Sequence, residues 1–147
     1  MDRLRRRWMP RAFVDTDVVV RLLTGDDPAK QQAAHQLFGR VEQGELELCA
    51  PITMIADAVY VLSSPRLYHV PRADVRDMLV TLVRLPNLKL ENKSSVMGAL
   101  DLYGATTLDF GDALIIATMR QAGVETLYAF DHDFDHHEGI VRVEPAI

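Results

Sequence analysis

The sequence has little that could stabilise a protein without a hydrophobic core or anchor it in a membrane. One cysteine, Cys49, occurs among 147 residues, which excludes an internal disulfide framework and a multi-cysteine zinc site. No apolar run is long enough to span a bilayer, and there is no internal repeat, low-complexity stretch or linker. Hydrophobic residues make up 48% and charged residues 25% of the chain, as in ordinary globular proteins. The sequence therefore predicts a single globular domain.

Positive charge is scarce outside the N-terminus. Sixteen Lys and Arg stand against 21 Asp and Glu, for a net charge of −5. Five arginines lie within residues 1–11, and the rest of the chain has 11 basic and 20 acidic residues, a net charge of −9. We expect residues 1–10 to form a flexible basic extension, or alternatively a nucleic-acid-binding arm, and residues 11–147 to form the domain. Because no apolar stretch follows the arginines, we expect no secretory signal and a cytoplasmic location.

Short apolar runs alternate with segments of helical periodicity along the domain. Strands are predicted near residues 11–15, 45–50, 88–90, 126–130 and 140–143. Helices are predicted over residues 28–44, 51–62, 71–86 and 109–122, with another beginning near residue 92. Such alternation predicts an α/β fold in which helices cover both faces of a mainly parallel sheet. Ligands bind sheets of this kind at the carboxyl ends of the strands.

Four aspartates stand in apolar surroundings, where a lone solvated charge is unusual: Asp15, Asp57, Asp112 and Asp131. No lysine or arginine lies within four residues of the last three. If Asp15, Asp112 and Asp131 converge, protonation or a cation must offset their repulsion. Oxygen ligands without histidine or thiolate favour Mg²⁺ or Mn²⁺. Taken singly, each acid also fits a structural role as a helix cap, a half-exposed helix residue or a turn residue.

Four short motifs occur in a fixed order along the chain. They are Phe13–Asp17, Ala56–Leu62, Asp109–Ile115 and Phe130–Phe134. Together they resemble the motifs of PIN-domain nucleases, most closely the VapC-type toxins of bacterial toxin–antitoxin pairs, and the resemblance runs from about Arg11 to Pro145. It implies a three-layer α/β/α sandwich with a central, mainly parallel sheet. It also implies Mg²⁺- or Mn²⁺-dependent endoribonuclease activity on RNA, homodimerisation and a neutralising antitoxin.

The resemblance also implies roles for individual residues. Asp15 and Asp112 match the positions that hold the metal, and Asp131 matches the fourth acid of the pocket, so we predict these three as metal ligands. Asp57 falls where the family usually has glutamate, and it completes the set of four predicted catalytic acids. Three further residues are predicted to be accessory: Thr16, Asp17 and Asp109.

Two other functions are compatible with the sequence. The segment Asp15–Val18 also fits the opening motif of haloacid-dehalogenase-type phosphatases, in which Asp15 would be a phosphorylated nucleophile. Asp57 in place of glutamate and Asp17 in place of a common asparagine leave open a catalytically weakened PIN domain that acts as a binding module.

Two surface segments complete the candidate set. Arg66, Tyr68 and Arg72 are predicted to contact RNA, because single strands are held by base stacking and positive charge, although an ordinary surface loop has the same composition. Residues 131–138 are rich in aspartate and histidine, but their spacing favours a solvated loop over a transition-metal site.

Overall fold

A computed structural model describes residues 9–146. The predicted elements occur in the predicted order, and two helices were not predicted, α1 and a 3₁₀ helix. The elements are β1 (Arg11–Phe13), α1 (Thr16–Leu23), α2 (Pro28–Glu42), β2 (Glu47–Cys49), α3 (Ile52–Ser63), α4 (Arg72–Val83), β3 (Leu88–Lys89), α5 (Lys93–Ala105), α6 (Phe110–Ala122), β4 (Thr126–Tyr128), the 3₁₀ helix (His132–Phe134) and β5 (Val141–Val143). No helix in the described range is both long and apolar enough to cross a membrane.

All strand pairings are parallel. In the order β1–β2–β3, Phe13 lies opposite Cys49, and Cys49 lies opposite Lys89. β4 pairs with β5, so that Tyr128 lies opposite Val143. The predicted α/β class with a parallel sheet is therefore confirmed. Within residues 9–146, however, the five strands form two separate sheets instead of a continuous one.

The helices and the middle of the larger sheet enclose one hydrophobic core. Leu48 of β2 and Leu88 of β3 are almost fully buried. Helical residues pack around them, including Val19, Ile55, Leu79, Leu100 and Ile116. β1 and β4 contribute much less, because Phe13 and Tyr128 are 79% and 70% exposed. Helices were expected to cover both faces of the sheet, and Phe13 and Tyr128 are not covered.

Local signals set the ends of the elements that position the site. Asp27 caps α2 by accepting a hydrogen bond from the Lys30 backbone amide at 3.1 Å, and Pro28 occupies the first turn. At the other end of the chain, Gly123 ends α6 with a φ of +68°, a conformation that a residue with a Cβ rarely adopts. Only residues 123–125 then connect α6 to β4. The short connection fixes β4 relative to α6.

The predicted boundary near residue 10 lies at the edge of the described range. The Pro10 carbonyl already accepts a hydrogen bond from the Glu47 amide at 2.9 Å, so the backbone ladder of the larger sheet begins there. Residues 1–8 lie outside the described residues. The flexible extension and the nucleic-acid arm therefore stay predictions.

Candidate active site

The first predicted acid lies where the larger sheet meets α1. Val14 is buried directly after β1, and the chain then turns into the helix. The Asp15 carboxylate accepts a hydrogen bond from the Val18 amide at 3.1 Å and so caps α1. Its side chain is exposed at the carboxyl end of β1, where an α/β sheet binds ligands. The residue has a capping role and an accessible carboxylate at once.

Asp15 shares an open cleft with the second predicted acid. The cleft has a volume of about 570 Å³, and both Asp15 and Asp57 line it. Thr16, a predicted accessory residue, lies in the same wall. The other lining residues are apolar or uncharged: Phe13, Val14, Val18, Leu37, Pro51, Thr53 and Met54. We call Asp15, Thr16 and Asp57 the first half-site.

The other predicted acids gather at the start of α6 and the end of β4. The Asp109 carboxylate caps α6 by accepting a hydrogen bond from the Asp112 amide at 2.8 Å. Asp131 does the same for the 3₁₀ helix, with the Asp133 amide at 2.8 Å. We call Asp109, Asp112, Asp131 and Asp133 the second half-site. Asp133 was not among the predicted site residues; its spacing of two from Asp131 is the only sequence signal for it.

Negative charge is concentrated around Asp112. Its carboxyl group is partly buried, and this desolvation is the main cause that raises its pKa. The carboxylates of Asp109, Asp131 and Asp133 raise the pKa further, in that order. Asp112 and Asp131 therefore lie close enough for their charges to interact.

A family model described as PIN domain matches residues 12–140. The chain belongs to the PIN domain family. Among solved structures it is similar to VapC20 of Mycobacterium tuberculosis, a sarcin-ricin loop cleaving toxin, with 21% identity over 90% of this chain and 98% of that chain and a TM-score of 0.38. No curated protein matches. The family recognised from the four motifs is confirmed, and PIN domains generally use divalent metal ions.

The acids of this PIN domain have the chemistry of a divalent-metal site. Within the described range, none of the six aspartates in the two half-sites forms an ion pair, whereas Asp26, Asp101 and Asp135 are each paired with an arginine. The carboxylate of Asp17, a predicted accessory residue, lies 3.4 Å from the Arg21 guanidinium. Unpaired carboxylates without histidine or thiolate are donors that suit Mg²⁺ or Mn²⁺.

The geometry of one chain does not complete such a site. Among residues 9–146, no three His, Cys, Asp or Glu side chains lie close enough to hold a metal ion. Asp15 lies with Asp57 in the first half-site, whereas Asp112 and Asp131 lie in the second. Of the three acids expected to converge, Asp112 and Asp131 therefore lie near each other, whereas Asp15 lies in the other half-site.

The second half-site is braced by a network that the sequence did not reveal. Arg142 of β5 donates to the Asp135 carboxylate at 2.7 Å and to the Ala129 carbonyl at 3.0 Å. His132 contacts the same carboxylate at 2.9 Å. The Arg142 hydrogen bond, followed by that of His132, lowers the pKa of Asp135. The acidic and histidine-rich loop is therefore tied to β5, which fixes the turn that carries Asp131 and Asp133.

The residues predicted to contact RNA have different surroundings. Arg66 is exposed. The Tyr68 hydroxyl donates to the Asp26 carboxylate at 2.6 Å, which joins its loop to the end of α1. Arg72 stacks on the Tyr103 ring, 3.8 Å from its centroid, and donates to the carbonyls of Tyr103 and Leu108. Arg72 therefore braces the segment before Asp109, and Arg66 is the freest of the three to meet a ligand.

A phosphatase site would need a lysine close to Asp15, and Lys89 and Lys93 do not provide one. Lys93 donates to the carbonyls of Leu85 and Leu88 at 2.7 and 2.8 Å, away from the first half-site. Lys89 lines a different cleft, together with Arg11 and Cys49. Among residues 9–146, no lysine or arginine lines the cleft of Asp15.

Proposed function

We propose that this PIN domain is a Mg²⁺- or Mn²⁺-dependent endoribonuclease that hydrolyses phosphodiester bonds of RNA. One observation carries the proposal: acids that have no basic partner among residues 9–146 lie at the carboxyl ends of parallel strands and at the start of α6, where mutual repulsion helps to raise the pKa of Asp112. Such a charge concentration is stable when a divalent cation offsets it. Asp15, Asp112 and Asp131 are the proposed ligands. A bound ion of this kind supplies an activated water and charge neutralisation at the phosphate.

The chain's own groups hold the acids in place. Asp15 is oriented by the Val18 amide, and Asp131 by the Asp133 amide. Asp57 is one methylene shorter than the glutamate of the family, so its carboxylate stops about 1.5 Å short of that position. Because Mg²⁺ tolerates little variation around about 2.0–2.1 Å, we assign Asp57 an outer, water-mediated contact.

We further propose that the protein is the toxin of a type II toxin–antitoxin pair, acts in the cytoplasm as a homodimer and is neutralised by a cognate antitoxin protein. The order and spacing of the four motifs support this role. Induced expression in a bacterial host should arrest growth for the parent and not for Asp112→Asn. Growth arrest that persists in Asp112→Asn would separate toxicity from the proposed nuclease site.

Purified protein and single-stranded RNA test the enzymatic proposal directly. Cleavage should require Mg²⁺ or Mn²⁺ and stop in excess chelator. Asp74→Asn is a matched control, because Asp74 also lies in the first turn of a helix, is exposed and is remote from the motifs. Activity that persists in chelator would refute metal dependence. Release of phosphate from a phosphomonoester, lost in Asp15→Asn, would favour the phosphatase alternative.

A further inference from the structure

Most basic side chains in the described part of the chain already have a partner. Arginines form ion pairs with acids, as Arg11 does with Glu47 and Arg142 with Asp135. Lys93 donates to two backbone carbonyls. Four basic side chains form neither an ion pair nor a hydrogen bond with any residue from 9 to 146: Lys30, Arg66, Arg84 and Lys89. In an acidic domain, these four are the positive charges available to a ligand.

Lys30 lines a cleft that adjoins the cleft of the first half-site. This cleft has a volume of about 250 Å³ and lies between α1 and α2. Val18 and Leu37 line both this cleft and that of the first half-site, so the two open into each other. A ligand that lies over Asp15 can therefore extend towards Lys30.

Lys89 lines another neighbouring cleft, at the carboxyl ends of β1, β2 and β3. Phe13, Cys49 and Lys89 lie side by side in the sheet, so two strand spacings, about 10 Å, separate the backbones of Phe13 and Lys89. The cleft has a volume of about 520 Å³ and shares Phe13, Pro51 and Thr53 with the cleft of the first half-site. The three clefts therefore form one continuous surface depression, which we call the groove, with the first half-site in its middle.

The ends of the groove differ from its middle in charge. In the middle, the first half-site presents two carboxylates and, among the described lining residues, no basic group. At the end between α1 and α2, Arg21 is paired with Asp17, which leaves the Lys30 ammonium unpaired in the described range. At the β3 end, Lys89 lies in the same cleft as Glu91 but forms no ion pair with it. Two available cations therefore flank an acidic centre.

The charge of Lys89 also acts on a second lysine. Burial lowers the pKa of the Lys93 ammonium, and the neighbouring charge of Lys89 lowers it further. Lys93 is held by the carbonyls of Leu85 and Leu88, so it does not turn towards the groove. An anion bound at Lys89 would offset the repulsion between the two ammonium groups.

The pattern of charge suits an extended polyanion with aromatic groups. A single phosphate reaches only one of the two lysines, because the cleft of the first half-site lies between them. A single-stranded nucleic acid has a phosphate at every nucleotide, and its bases stack on aromatic side chains. Phe13, which is 79% exposed in the wall between the middle and the β3 end of the groove, offers such a surface.

We propose that the groove binds single-stranded RNA across the first half-site, with Lys30 and Lys89 each contacting a phosphate on one side of the cleaved bond. The two contacts fix which phosphate lies beside Asp15. The inference rests on the proposed nuclease function for the position of the cleaved bond, but not for the binding of RNA in the groove.

RNA binding without cleavage tests the groove. Fluorescence anisotropy measures the binding of a labelled oligouridylate to Asp112→Asn protein in excess chelator, over a range of salt concentrations. Lys30→Ala and Lys89→Ala should each weaken binding and make the slope of log affinity against log salt shallower by about 0.7, the value for one phosphate contact. The double variant should lose about 1.4 of the slope. Because both side chains are exposed, the variants should keep the melting temperature of the parent.

Two further variants are matched controls. Arg84→Ala removes the same charge from an exposed side chain that lines none of the three clefts, so the slope should not change. Glu91→Gln removes an acid from the cleft of Lys89 and should tighten binding. Slopes for both lysine variants equal to that of Arg84→Ala would overturn the proposal and favour an acidic protein segment as the occupant of the groove.

Substrate length separates the groove from the chemistry. A uridine dinucleotide has one phosphate and reaches neither lysine, so its cleavage should be equal in the parent and the lysine variants. For the longer oligouridylate, kcat/KM should fall in both variants. Metal-dependent cleavage with no lysine effect on either substrate would refute the groove and keep the nuclease function. Lysine-dependent binding by a parent that cleaves neither substrate would refute the nuclease function and keep the groove.

Discussion

The two half-sites use the same residue type at equivalent ends of parallel strands, yet they differ in electrostatics. In the first, Asp15 and Asp57 line a wide cleft whose other described lining residues carry no charge. In the second, four carboxylates crowd the start of α6 and the loop after β4, and the pKa of Asp112 is raised. The difference teaches that strand-end position alone does not make an acid reactive. A strand-end position exposes the carboxylate, and the neighbouring acids determine how much repulsion a cation would have to offset.

The largest expected effect comes from removing the charge at the centre of the second half-site. Asp112→Asn should lower kcat/KM for RNA cleavage by at least about 100-fold, the cost of removing a group that stabilises charge in the reaction. The same change should raise, or at least not lower, thermal stability without metal, because it removes the charge that Asp109, Asp131 and Asp133 repel. Nuclease assays and thermal melts in chelator check both outcomes.

The pH dependence of stability separates the two half-sites further. A carboxyl whose folded-state pKa is raised above 3.8 binds more protons in the folded than in the unfolded state, so the parent should lose stability as pH rises from about 4 through the raised pKa. Asp112→Asn should remove this loss. Asp74→Asn, the control in the first turn of α4, should retain it. Equal melting curves for the parent and Asp112→Asn from pH 4 to 7 would contradict the electrostatic difference between the half-sites.

Much of the site could be predicted because its signals are local. An apolar run that ends in an acid predicted β1 and the position of Asp15 after it. Asp109 and Gly123 mark the two ends of α6. No local signal predicted that the two sheets are separate. The strands β1 and β4 are far apart in sequence, and whether they pair depends on tertiary packing. The contacts of Arg72 had no local signal for the same reason, since the Tyr103 ring on which it stacks lies 31 residues away.

A smaller effect is expected in the first half-site, at Asp57. If its contact is water-mediated, Asp57→Ala should lower kcat/KM by about 10-fold, less than Asp112→Ala, since groups outside the first coordination shell typically contribute about 10- to 100-fold. Asp57→Glu should match or exceed the parent, because the cleft is open and the longer side chain reaches further. Kinetics of the three variants at saturating Mg²⁺ test this. Loss of cleavage in a folded Asp57→Glu would mean that the pocket is built around the shorter side chain.

The smallest expected effect concerns the loop that the Tyr68 hydroxyl joins to Asp26, just after the carboxyl end of α1. If RNA approaches over this loop, Arg66→Ala should raise KM by about 2- to 3-fold with kcat unchanged. The slope of log affinity against log salt should become shallower by about 0.7, the value for one phosphate contact on a single strand. Arg84→Ala is the control, because Arg84 is exposed at the end of α4, away from that loop. Arg72→Ala should instead lower the melting temperature, because it removes the stacking on Tyr103 and the hydrogen bonds to the carbonyls of Tyr103 and Leu108. An equal change in KM and salt slope for Arg66→Ala and Arg84→Ala would show that RNA does not approach over the loop that carries Arg66.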